Sequence, residues 1–182
     1  MNARTRYAGG YMRRLEGIRF PRLDVSGGVR WKETAIVRAL GLLKIPTLFF
    51  VGPRVLRIDD DGCEVQIPLG YRTRNHVGSM YVGVLAAGAD LASGLNALSA
   101  IRRGHRRVVL LFKDMTAEFL KRADGDVHFA CNEGRRIAEA VARADDTGER
   151  ITLPVEVIAT VPKKYAAEPV ARFTMGLSLK RR

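Results

Sequence analysis

Residues 79–101 read SMYVGVLAAGADLASGLNALSAI, from Ser79 to Ile101. Met80, Val84, Ala87, Leu91, Leu95 and Leu98 recur at helical spacing and form one apolar stripe. The other faces carry Gly83, Ala86, Gly88, Ala89, Ala92, Ser93 and Gly94. A helix apolar on nearly every side belongs inside a protein. Its small residues let neighbouring backbones approach closely. At about 20 residues it would run about 30 Å.

Outward from this helix the sequence is rich in strands. Upstream, Ile36, Val37, Leu40 and Leu43 recur at helical spacing, and Pro46 stops that helix. Thr47 to Ile58 reads as a strand. Asp59-Asp60-Asp61-Gly62 then suits a tight hairpin turn; it lacks the spaced ligands and distal Glu of a calcium loop. Cys63, Val65, Ile67 and Leu69 alternate with polar residues or proline, as in a half-buried strand. Downstream, Val108–Phe112 is an apolar run extended through Met115, Ala117 and Phe119. After a turn at Asp124-Gly125-Asp126 comes a strand over Val127–Cys131. Asn132 is placed to cap a short helix carrying Ile137 and Val141. Two more alternating strands follow, through Ile151–Val157 and Ala171–Leu179. Alternation favours antiparallel pairing with one face packed and one wet. The expected class is α+β: an antiparallel curved sheet wrapped around one long central helix, the hotdog fold. Residues 1–30, Gly- and Arg-rich with weak periodicity, read as a basic extension, and 31–182 as the hotdog domain.

The chain has 182 residues, 47% of them hydrophobic, enough for one domain with a substantial core. No apolar run reaches the length of a membrane span, so no transmembrane segment is expected. Met1-Asn2-Ala3-Arg4-Thr5-Arg6 leads into no apolar signal region. Cys63 and Cys131 read as buried free thiols, and the expected location is the cytoplasm. The net charge of +12 implies attraction to anions, whether nucleic acid, anionic lipid or a phosphate-bearing cofactor. The charge is spread over the N-terminus, the cluster Arg102, Arg103, Arg106 and Arg107, and Lys180-Arg181-Arg182. Most of it reads as solvated surface. No zinc-ligand spacing, helix-turn-helix or RNA-binding signature appears, so no specific nucleic-acid partner and no metal are expected.

Between Arg74 and Arg102 the one formally charged side chain is Asp90, in the middle of the apolar helix. An unpaired carboxylate there is costly, so burial should raise its pKa or demand a partner. A structural Asp bound to a strand backbone or an arginine would satisfy the sequence. The favoured reading is a general base that activates water, or a nucleophile. The preceding loop, Arg72-Thr73-Arg74-Asn75-His76-Val77-Gly78-Ser79, brings an amide and an imidazole toward a helix N-terminus whose free N–H groups can hold a developing oxyanion. Gly78 and Gly83 would let substrate near the backbone. Ser79 reads as the N-cap. His76 is a hydrogen-bonding loop residue or a substrate contact; His105 and His128 are less promising. There is no Gly-x-Ser-x-Gly elbow and no Gly-rich phosphate fingerprint.

The stretch from Asn75 to Asp90 resembles the active-site segment of hotdog acyl-CoA thioesterases of the PaaI-like branch. Those proteins carry a loop Asn, a His-Gly-Gly near the helix start, and an Ala-Asp or Ala-Glu further along. Asn75 matches the loop Asn, Gly83 the second Gly, and Ala89-Asp90 the acid pair. Tyr81 stands where the His belongs and Val82 where the first Gly belongs. Arg74-Asn75-His76 is similar to the start of the segment in a side branch of that family. The resemblance implies catalysis by Asp90 and Asn75, with Asp90 as base or nucleophile and Asn75 orienting thioester or water. It implies that the Gly83 N–H polarises the carbonyl, and that His76, Gly78 and Tyr81 line the substrate. It implies a homodimer with the site across the subunit interface, and dimers that can pair again as a tetramer. Coenzyme A would enter only as part of the substrate, its phosphates drawn to Arg72, Arg74, Arg102, Arg103 or Arg106.

The leading expectation is hydrolysis of an acyl-CoA or related acyl thioester by Asp-assisted attack of water. The alternative is a non-catalytic hotdog protein binding acyl-CoA or lipid, which the absent His at position 81 favours. A third reading, a basic protein on nucleic acid or an anionic membrane, rests on charge alone and would show a steep salt dependence.

Overall fold

Helix α1 spans Trp31–Lys44 and closes on Ile45, whose N–H reaches the Leu40 and Gly41 carbonyls. Pro46, without an N–H, cannot continue it. In the computed structural model, which describes residues 28–105 and 107–182, Pro46 instead opens a second helix, α2, over Pro46–Val51. Gly52 ends α2 in the left-handed conformation, with φ of 63°. The expected strand from Thr47 to Ile58 is therefore corrected: only Arg54–Ile58 forms strand β1. A short apolar run fits helix or strand equally, and here proline at the first helical position and glycine just past the end decide for helix.

The hairpin follows as expected. Strand β2, Cys63–Ile67, pairs antiparallel with β1, and the Asp59 carboxylate accepts the N–H groups of Asp61 and Gly62 in the turn. Then come helix α3 (Val82–Arg103), strands β3 (Val108–Phe119) and β4 (Val127–Cys131), helix α4 (Gly134–Thr147), strand β5 (Ile151–Thr160), a one-turn helix α5 (Pro162–Tyr165) that the sequence did not suggest, and strand β6 (Pro169–Arg181). The strands make one six-stranded antiparallel sheet in the order β1-β2-β4-β5-β6-β3. The single sheet around a central helix is the hotdog arrangement. The basic extension expected over 1–30 lies, through residue 27, outside the described residues.

The inner face of the sheet is set by register. Val65 pairs with Phe129, Phe129 with Ala159, and Ala159 with Ala171, and all four are fully buried. Above this row sits Gly88 of α3: a Cβ there would lie 2.3 Å from the Phe129 ring. The small side of α3, with Ala89, Ala92, Ser93 and Ala97 at 0% exposure, is thus the side that meets the sheet. By length and apolarity alone α3 could cross a membrane, but 67% of its most apolar stretch is buried in the fold, which marks it as the core helix.

Local capping differs from expectation. Glu133 holds the N-cap position of α4, and Asn132 accepts from the Arg57 guanidinium (2.5 Å) instead of capping the helix. Ile137 and Val141 are buried as expected. Large apolar side chains remain exposed on α1 and α2 (Leu42, Leu43, Phe49 and Phe50), in the loop leading into α3 and at its first residue (Tyr71, Val77, Tyr81 and Val82), and on the edge strand β3 (Leu111, Phe112, Met115 and Phe119).

The Gly88–Phe129 contact yields a test. Gly88→Val should destabilise the fold by about 1–3 kcal/mol through overpacking, read by urea denaturation. Adding Phe129→Leu should recover part of the loss; a double variant no better than the single would mean the strain lies elsewhere.

Candidate active site

The loop before α3 is held by its own polar groups. The Asn75 amide oxygen accepts from the N–H of Val77 and of Ser79, both at 3.0 Å. The Asn75 N–H donates to the Ser79 carbonyl, and the Gly78 N–H to the Asn75 carbonyl. Gly78 takes φ of 79°, a left-handed turn that favours glycine. Arg122, which the sequence gave no reason to single out, donates to Ser79 Oγ (3.1 Å) and to the Val77 carbonyl (2.9 Å). Ser79 is therefore not the N-cap. Tyr81 takes that position in extended conformation, with no side-chain cap, because the Ser79 hydroxyl is turned toward Arg122.

The first turn of α3 closes on the Tyr81 carbonyl through the Val84 and Leu85 N–H groups. Those of Val82 and Gly83 have no protein acceptor among the described residues, as expected at a helix start. The Tyr81 ring lies against Gly83, where a Cβ would come within 2.6 Å of it. Tyr81, Val82, Gly83 and His76 are exposed, while Asn75 is half-buried.

Asp90 sits further along α3 at the edge of a groove of about 550 Å³. The groove runs between α3, the start of β3 and the α1–α2 pair; Leu40, Leu48, Gly94, Leu98 and Phe112 are among its walls. Its volume falls in the range of small-molecule pockets. Among the described residues the Asp90 carboxylate has no hydrogen-bond or ion-pair partner. Burial pushes its pKa above the ordinary 3.8, with no counteracting charge. The structural reading of Asp90 as a paired carboxylate thus finds no partner here.

Asn75, His76, Gly78, Tyr81 and Gly83 do not line this groove. Gly83 and Asp90 lie on the same helix about 10 Å apart along its axis. One chain therefore does not place the helix-start N–H groups and the carboxylate around a single reacting atom.

The arginines separate. Arg103 pairs with Asp60 and donates to Ser99. Arg72 lies over the Phe50 ring (5.5 Å) and Arg74 over the Tyr71 ring (5.7 Å). Arg102 is exposed on a second groove between α1 and α3. Arg106 lies outside the described residues. His105 bonds to Asp145 (3.1 Å) and His128 to Glu64 (2.8 Å), so both have structural partners away from the groove. Cys63 and Cys131 are buried and free; burial raises the thiol pKa of both, that of Cys131 to about 11.

A family model described as Domain of unknown function (DUF4442) matches residues 33–177. A comparison with curated proteins gives no match. Among solved structures, a Pseudomonas aeruginosa protein of unknown function, named a probable thioesterase, superposes with TM-score 0.68 and 25% identity over 82% of this chain and 96% of its own. A Chlorobaculum tepidum protein of unknown function gives TM-score 0.70 at 12% identity, covering 86% and 99%. A Haemophilus influenzae thioesterase of class EC 3.1.2.- gives 0.56 at 15%, covering 79% and 88%. The last two likenesses speak for the fold alone.

The raised carboxyl of Asp90 has a consequence for stability. Between the ordinary pKa of 3.8 and the higher folded value, the native state holds a proton that the unfolded chain releases, so stability falls as pH rises through that window. Asp90→Asn should therefore melt above wild type at pH 7, with the gap closing below the ordinary aspartate range. A variant that melts lower at pH 7 would reveal a favourable partner for the carboxylate.

Proposed function

The chain belongs to the DUF4442 family, and we propose that it is a thioesterase that hydrolyses an acyl-CoA or related acyl thioester, with Asp90 as the base. The observation that carries this reading is a half-buried carboxylate, without a partner among the described residues, lining a mostly apolar groove in a hotdog fold. Water attacks the thioester carbonyl while Asp90 takes its proton. The tetrahedral intermediate then expels the CoA thiolate and leaves the free acid. A thiolate leaves readily, so the site needs no strong acid, which suits its few titratable groups.

The separation of Gly83 from Asp90 supports a site shared by two subunits. A twofold dimer could set the helix-start N–H groups of one chain against Asp90 of the other, so that both reach one carbonyl. The Asn75 oxygen is already engaged within its loop, which leaves the Asn75 Nδ2 as the group free to orient substrate. Strand β3 supplies a surface for the dimer: it is a sheet edge with exposed Leu111, Phe112 and Met115. Among the described residues, Arg72, Arg74 and Arg102 are the candidate arginines without an acidic partner for the CoA phosphates. One observation favours the alternative, a non-catalytic acyl-binding protein: the Tyr81 ring lies over Gly83, where a substrate carbonyl would approach.

Release of CoA thiol from a panel of acyl-CoAs tests the reading. Asp90→Asn should lower kcat by about 10²–10⁴-fold. The wild-type rate should climb with pH as Asp90 deprotonates, with a midpoint above 3.8. Saturable binding without turnover at any acyl length would replace the enzyme with the binding protein. Sedimentation tests the shared site: Met115→Glu, exposed on β3 outside the groove, should yield monomers that have lost turnover. Monomers of full activity would rule out a site built from two chains.

A further inference from the structure

We propose that the groove beside Asp90 is a measuring slot for a linear, medium-to-long acyl chain, entered past Gly94 and bounded near Ile101. The inference rests on the thioesterase reading for what reacts at Asp90, and goes beyond it in naming the acyl class.

Two glycines of α3 carry the argument by their contrast. Gly88 is demanded by packing, since a Cβ there would strike Phe129 at 2.3 Å. Gly94 is not: a Cβ would meet the Phe112 ring at 3.5 Å and the Asp90 carboxylate at 4.0 Å, ordinary contact distances. Alanine would fit at 94 and strengthen the helix. The fold therefore keeps open a space that it does not need, directly beside the Asp90 carboxylate.

Beyond Gly94 the slot continues along one stripe of α3, through Leu98 to Ile101, and faces the apolar start of β3. From Asp90 to Ile101 the helix covers about 16 Å, and an extended chain gains roughly 1.2 Å per bond, so the slot matches an acyl chain of roughly 12–14 carbons. Apart from Asp90, its walls are aliphatic with Phe112 as the aromatic and Arg182 as the cationic exception, a lining for flexible methylenes more than for a flat ring. Asp90 and Arg182 are the charged side chains of the lining, and the remainder is hydrocarbon, which suits the tail of a thioester whose carbonyl lies at Asp90.

The experiment runs two series in parallel on the full chain: hydrolysis of acyl-CoAs from acetyl to hexadecanoyl, and calorimetric binding of S-alkyl-CoA thioethers of the same lengths, which cannot be hydrolysed. Affinity and kcat/KM should rise about threefold per added methylene and flatten near dodecanoyl. Gly94→Leu should cut the ratio of dodecanoyl to butanoyl turnover roughly tenfold or more without lowering the melting temperature. Leu98→Trp, at a partly exposed position, should move the plateau to shorter chains and covers the case in which Gly94→Leu fails to fold. A flat length profile, or one unchanged by both substitutions, overturns the slot even where Asp90-dependent hydrolysis is seen. Thioether affinity that rises with length and responds to both substitutions supports the slot even where no acyl-CoA is hydrolysed, and in that case the enzyme reading alone falls.

Discussion

A sheet can close around a 22-residue helix only if the side of the helix that meets it is nearly bare. Here Gly88, Ala89, Ala92, Ser93 and Ala97 provide that side, and the ring of Phe129 fills the volume they leave. The row Val65, Phe129, Ala159 and Ala171 shows the same economy from the sheet: one large ring flanked by small residues. Interiors pack at near-crystal density, so size on one surface must be answered by absence on the other. Helix position, sheet register and the direction of every remaining face of α3 follow from this contact.

Once the small face is committed to the sheet, Asp90 is turned toward the opposite side. That side is covered incompletely, by α1, α2 and the first residues of β3. The result is a carboxylate in an apolar setting that solvent still reaches. Full burial would neutralise it or require a cation; full exposure would leave it an ordinary surface acid. The intermediate position raises its pKa above the ordinary carboxylate value while leaving it within reach of solvent.

The sequence made legible whatever depends on one periodic element. α3 and strands β2 to β6 could be read because burial on one side imposes a repeat. The course of the Asn75–Asp90 segment, a loop leading into a helix, could be read because it follows the linear order. Features that depend on a distant partner were not legible. Ser79 and Asn132 both looked like helix caps, but each gives its side chain to an arginine far away in sequence, Arg122 and Arg57. Nothing local to Ser79 announces Arg122. The groove was hidden for the same reason: its walls come from α1, α2, α3 and β3, and residues such as Leu48 and Phe112 read as ordinary core. Gly94 did leave a signal, a glycine inside a helix, but the sequence could not distinguish it from Gly88.

Strand β3 joins the two halves of the problem. Its first residues, through Leu111 and Phe112, wall the groove beside Asp90, and the strand is a sheet edge that leaves Leu111, Phe112 and Met115 exposed. Exposed apolar residues on a sheet edge invite pairing with another strand. Phe112 belongs to both regions: it faces Gly94 in the groove and is part of the exposed edge. Whatever covers the β3 edge must therefore touch the wall of the groove. Assembly and access to Asp90 are for that reason one structural question, and the separation of Gly83 from Asp90 along α3 points to the same dependence from the other end of the helix.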